Sequence, residues 1–188
     1  MATEVFGSSV KRKEDPRLIT GQGTYVEDVK LTGMLHMVLV RSPYAYAEIV
    51  SINSKEAIKT SGVVAVLTGA DLGEELGSLP CGWVVPDTKE VPHPPLAVGR
   101  VRYVGDAVVA VVADSLQAAS DGAAKVEIQY DEIAHVISME DALKEGAIQL
   151  HEDAPNNIAF EWEVDGGDVT KVNLNQTFLF NKGLQTRD

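Results

Sequence analysis

The stretch VRYVGDAVVAVVAD, Val101–Asp114, constrains the fold more than any other part of the sequence. After the Gly105-Asp106 turn, Ala107–Ala113 carry no charge and are mostly β-branched. A run this short and this apolar reads as a strand covered on both faces. SLQAASDGAAK follows at once with helical alternation. Ser115 stands where a helix needs an N-cap, and Leu116, Ala119, Ala123 and Val126 fall on one face. Strand, glycine turn and helix in close succession is also how many nucleotide sites begin, so the stretch is either a site or framework.

Other segments repeat the strand-and-helix theme. MLHMVLVR, Met34–Arg41, reads as a buried strand, and AEIVSIN, Ala47–Asn53, as a strand of looser alternation. Ser54 is placed to cap a short helix, KEAIKT, which Gly62 ends before VVAVL resumes as another buried strand. Gly69–Val98 holds five of the eight prolines and reads as a long surface excursion with a short helix near Ala70–Gly77. Val126–Tyr130 begins a further strand, and Ser138 to Asp141 forms a weak capping box. Strands interleaved with helices give a mixed domain, α/β or α+β. At 188 residues one such domain with an appendage can bury about 70% of its unfolded surface.

Charge excludes one class of function. The chain carries 28 acidic against 16 basic residues, a net charge of −12. Asp114–Asp168 alone has fourteen acidic residues against Lys125 and Lys144, so the whole excess sits there. Such a balance disfavours nucleic-acid phosphates and reads as a solvated face or as a dock for a basic partner. The lone Cys81 permits neither an intrachain disulfide nor a multi-thiolate metal or iron–sulfur site. MATEVFGSSVKRKEDP lacks the apolar core of a signal peptide, and no apolar run approaches a membrane span. A cytoplasmic location without membrane contact is expected.

No self-contained site emerges from the residues. Gly105 lacks the companion glycines of a phosphate loop, and Asp106 would repel an anion. Gly21-Gln22-Gly23 has Val26 where a dinucleotide fingerprint wants glycine, and no strand leads into it, so a bend is expected. His36, His93, His135 and His151 lack metal-ligand spacing. Of these, His36 reads as a hydrogen-bonded core residue and His93, in VPHPPL, as the exposed candidate for proton transfer. Nothing places a histidine beside Cys81 to activate it. Trp83 reads as an anchor of its loop onto the body or onto a partner. Asp131-Glu132 and Glu152-Asp153 are adjacent along the chain and diverge.

Several segments taken together resemble one family. KRKEDPRLITGQGTYVEDV, GMLHMVLVRSPYAYAEI, GVVAVLTGADL, PPLAVGRVRYVGDAVVAVVAD, HEDAPNN and GDV are similar, in order from Lys11 to Val169, to the beginning of the large subunit of molybdenum hydroxylases. That family includes xanthine dehydrogenase, aldehyde oxidase and the aerobic carbon monoxide dehydrogenases, and the KRKEDPRL arm points to the last branch. The resemblance implies an arm over 1–15, an α/β-hammerhead domain over 16–150, and a linker and tail over 151–188 that is flexible or partner-dependent. It implies a structural and assembly role within an oxidoreductase, with no activity expected from this chain alone. Its partners would be the molybdenum-binding chain or domains and the iron–sulfur subunit.

The molybdopterin-type cofactor belongs, by that resemblance, to segments the sequence does not contain, so no catalytic, cofactor-binding or metal residue is assigned. VRYVGDAV then reads as framework, with Asp106 and Ala107 in place of the usual Glu and Pro, and Tyr46 where His is common. After Val169 the sequence departs from the family and stops at Asp188, as a truncated product, a split subunit or an isolated domain would. Exposed apolar surface on such a piece would favour self-association. The rival expectations are an independent interaction module using the acidic segment and the loop near Trp83, or a remnant without function.

Overall fold

The structure is a computed structural model that describes residues 7, 9–73 and 76–162, together with the backbone of 177–180 and 184–187. The chain divides into two compact units, Met1–Leu35 and His36–Asp188. In the first unit, Pro16 opens α1 (Asp15–Ile19), where its missing N–H costs nothing and its fixed φ suits a helix start. Thr20 closes α1 by donating its hydroxyl to the Pro16 carbonyl at 2.7 Å. Gly21 then turns at φ 73°, and a 3-10 helix, Val26–Asp28, follows. The Gly21–Gly23 segment is thus a bend after a helix.

The second unit contains two three-stranded antiparallel sheets. In the first, β5 (Ala107–Ala113) lies between β1 (His36–Arg41) and β3 (Val63–Thr68). In register, His36 faces Ala113, Leu39 faces Ala110 and Val66 faces Val111. Val108, Val109 and Val111 are completely buried, as the charge-free run of β5 requires. Its neighbours differ from expectation. β1 starts at His36 instead of Met34, and Met37 and Val64 are 59% and 57% exposed, because β1 and β3 are edges with only one covered face.

The second sheet has the order β4-β2-β6, built from β4 (Arg100–Val101), β2 (Ala47–Asn53) and β6 (Glu127–Glu132). Its edge strand β6 carries exposed Glu127, Asp131 and Glu132. Val101 and Ala47 are completely buried and belong to the same apolar cluster as Val108, Val109 and Val111, which joins the two sheets.

Three helices bracket these strands. In α2 (Lys55–Ile58), Ser54 occupies the N-cap position but makes no side-chain cap; Asn53 Oδ1 accepts from the Lys55 N–H at 3.3 Å instead. α3 (Gly69–Leu72) is shorter than Ala70–Gly77 and begins at Gly69, where a Cβ would meet the Ala97 carbonyl oxygen at 2.8 Å. α4 (Leu116–Ala123) packs against β1 and β5, with Ser115 Oγ accepting from the Ala118 N–H as expected. Its buried face is Ala118, Ala119 and Gly122, whereas Leu116 is 59% exposed. Small residues face the sheet because a Cβ at Gly122 would already meet Val63 Cγ2 at 2.8 Å.

Beyond β6, Ser138 caps α5 (Met139–Ala142), its hydroxyl accepting from the Asp141 N–H and donating to Asp141 Oδ2. Asn157, at φ 58°, ties the following loop together. Its Oδ1 accepts from Leu150 N–H, and its Nδ2 donates to the Ala142 and Ile148 carbonyls. The HEDAPNN segment is therefore a structural knot. Within the tail, β7 (Thr177–Phe180) and β8 (Leu184–Arg187) pair antiparallel. The departure expected after Val169 otherwise falls on residues 170–176, 181–183 and 188, outside those described.

Candidate functional site

Gly105, at φ 94°, is the pivot of a braced turn. Its N–H donates to the Ser42 carbonyl at 2.8 Å, and its own carbonyl accepts from Arg41 at 2.8 Å. Asp106 Oδ2 accepts from the Arg102 N–H at 3.0 Å, so the carboxylate closes the turn and occupies the donor a phosphate would need. The signature stretch is framework.

The turn nonetheless forms one wall of a cleft of about 260 Å³ lined by His93, Arg100, Arg102, Tyr103, Asp106 and His151, among others. Arg102 Nε donates to the Leu150 carbonyl at 3.1 Å, which draws the 148–157 knot against the turn. Arg100 donates to Glu48 and to the Tyr46 hydroxyl, both at 2.9 Å. Tyr46 is buried and also reaches the Gln149 carbonyl at 3.4 Å. His93 lies parallel to Tyr103, ring centroids 6.1 Å apart.

Burial, and then the charge of Arg102, hold the His151 imidazole below its usual range, while burial and the nearby Asp106 raise the Tyr103 phenol. The cleft brings together two of the four histidines, His93 and His151. The sequence singles out His93 by its loop but nothing in spacing or composition joins it to His151, because what brings the 148–157 segment to this turn is the bond from Arg102 to the Leu150 carbonyl.

The remaining candidates lie apart. His36 is half-buried at the start of β1, and none of the core clusters includes it. His135 approaches Glu132 at 3.9 Å. Cys81 is exposed and its thiol donates to the Trp83 carbonyl at 3.0 Å. Among the described residues, no group of three or more His, Cys, Asp or Glu could hold a metal ion. No helix among them is long and apolar enough to cross a membrane.

A second feature lies on the Pro-rich excursion. Trp83 packs edge to face on Trp162, ring centroids 4.8 Å apart. Each ring is more than half exposed, 63% and 54%, as are Val84 and Phe160 beside them in sequence. The Lys89 N–H donates to the Ala159 carbonyl at 2.8 Å and holds the two segments side by side. Trp83 thus meets another exposed tryptophan at the surface and not the buried core.

Residues 20–134 match the family described as aldehyde oxidase and xanthine dehydrogenase, a/b hammerhead domain. Over 152 residues the chain is 42% identical to the 6-hydroxypseudooxynicotine dehydrogenase complex subunit gamma of Paenarthrobacter nicotinovorans, covering 77% of this chain and 19% of that one. It is 40% identical over 141 residues to the carbon monoxide dehydrogenase large chain of Hydrogenophaga pseudoflava, covering 75% and 17%. The crystal structure of quinoline 2-oxidoreductase from Pseudomonas putida 86 superposes with a TM-score of 0.68 at 41% identity, over 77% of this chain and 18% of that one. The chain thus spans about a fifth of the length of these relatives. It belongs to the hammerhead family of aldehyde oxidases and xanthine dehydrogenases.

Proposed function

We propose that the chain serves as the hammerhead portion of a molybdenum-hydroxylase-type large subunit, a structural and assembly element that does not catalyse alone. Its partners on this reading are the polypeptide that carries the molybdenum cofactor and an iron–sulfur subunit of the same enzyme. The observation that carries the reading is the match of residues 20–134 to a hammerhead domain in a chain that spans about a fifth of its relatives.

The residues themselves support it. A molybdenum–pterin group does not fit them, because the cleft of about 260 Å³ lies below the roughly 300–1,000 Å³ of pockets for ligands of that size. Its polar groups also hold their own fold together: Arg100 is engaged by Glu48 and Tyr46, and Arg102 by Leu150. A single cysteine, used locally at Trp83, leaves no thiolate set for an iron–sulfur cluster.

Native mass spectrometry of the assembly drawn from its source cells through this chain, with molybdenum and iron counted in the same sample, tests the reading. A large complex holding both metals is expected. A metal-free chain without partners, or oxidation of an aldehyde or purine by the purified chain alone, would overturn it.

A further inference from the structure

We infer that the Trp83–Trp162 pair is the seat on which the cofactor-bearing part of the large subunit docks; the inference rests on the function proposed above. The two rings come from segments far apart in sequence yet are held fixed before any partner arrives. Lys89 to Ala159 ties the segments, and the Cys81 thiol and the Thr88 hydroxyl, which binds the Val85 N–H and carbonyl, set the loop on either side of Trp83. Two indoles more than half exposed, with Val84 70% and Phe160 51% exposed next to them, put apolar area in water that an edge-to-face contact alone does not repay. Preordered, exposed tryptophans are the side chains that most often carry binding energy at contacts.

The size of the relatives points to the occupant. Relatives such as the carbon monoxide dehydrogenase large chain devote about a fifth of their length to what this chain spans, so four fifths of such a subunit must find a surface on it. On the same loop the exposed Asp87 and Glu90 outnumber the exposed Lys89 between them, a net negative rim that calls for an apolar seat on the partner flanked by Lys or Arg. A second copy of this acidic chain would bring like charges together instead.

The chain contains two tryptophans, both in this pair, so a 5-fluorotryptophan label reports on this surface alone. Fluorine NMR of the labelled full chain, free and in its assembly, is expected to show both indoles shifted and shielded from an added quencher in the assembly. Trp83→Ala is expected to weaken the association ~30-fold, as loss of a binding hot spot does, while Trp83→Phe retains most of it. Assembly with both indoles as accessible as in the free chain would overturn the inference and leave the proposed function standing. Absence of any assembly with a molybdenum-bearing polypeptide would overturn both. Shielding that grows with concentration of the free chain would assign the surface to a second copy, against the inference.

Discussion

Gly62 joins α2 to β3 at φ 87°, and its carbonyl accepts from the Asp114 N–H at 2.9 Å. Gly62→Ala should destabilise the chain through two separable effects. An L residue in the left-handed region costs about 1–2 kcal/mol. The new methyl would also meet Asp114 Oδ1 at 2.5 Å and Ala118 Cβ at 2.9 Å. The carboxylate can swing aside, but Ala118 sits on the buried face of α4 and cannot, so overpacking adds about 1–3 kcal/mol. The sum, about 2–5 kcal/mol, lowers the melting temperature by roughly 10 °C for a chain of this size.

Gly105→Ala is the control for this prediction. Gly105 has φ 94° with nothing within 4 Å of a Cβ, so it should show the first effect alone, about 1–2 kcal/mol. Urea unfolding of both variants, compared at unchanged slope, separates the two contributions. Equal midpoint shifts would refute the argument that α4 is pressed against the Gly62 turn.

Val109→Ala, at a completely buried position in the middle of β5, should cost about 2–3 kcal/mol by urea unfolding. Arg102→Ala removes the bond to the Leu150 carbonyl and should raise amide exchange of residues 148–157 selectively, with a loss of about 1.5–3 kcal/mol. The folded state holds the His151 proton less readily than the unfolded chain, so the unfolded chain binds more protons below about pH 6.5. Stability should therefore be full above that pH and decline as pH falls towards the folded value; His151→Gln should flatten the slope of unfolding midpoint against pH. Asn157→Ala strips three hydrogen bonds from the knot after α5 and should cost about 1–3 kcal/mol by the same assay.

The elements legible in the sequence are those whose signal is local. The charge-free run of β5 and the Ser115 cap depend on residues within a turn or a strand length, and both stand where expected, whereas α2 ends at Ile58, short of the full KEAIKT run and before Gly62 is reached. The misreadings are tertiary. Met34–Arg41 looks as buried as β5, yet β1 is an edge, and edge or centre is decided by strand order, which no single segment carries. Leu116 has the apolar character of a core residue, but α4 approaches β1 and β5 so closely that only Ala and Gly fit the contact. The two-residue β4 is too short for any period to reveal. The cleft was illegible for a related reason: His93 and His151 line it together because Arg102 Nε holds the Leu150 carbonyl against the turn, a contact that leaves no spacing in the sequence.

The carboxylates of β6 have a consequence for how this chain goes wrong. An open strand edge is a template for another strand, and Glu127, Asp131 and Glu132 make this one repel any copy of itself. That protection is only as strong as the three carboxylates that supply it. Glu127→Gln, Asp131→Asn and Glu132→Gln together would strip that charge and leave the edge open to sheet-to-sheet growth. Aggregation of that variant seeded at β6, suppressed by a lysine at the exposed position of the same strand (Gln129→Lys) and not by equivalent changes in α4, is how this fold should fail.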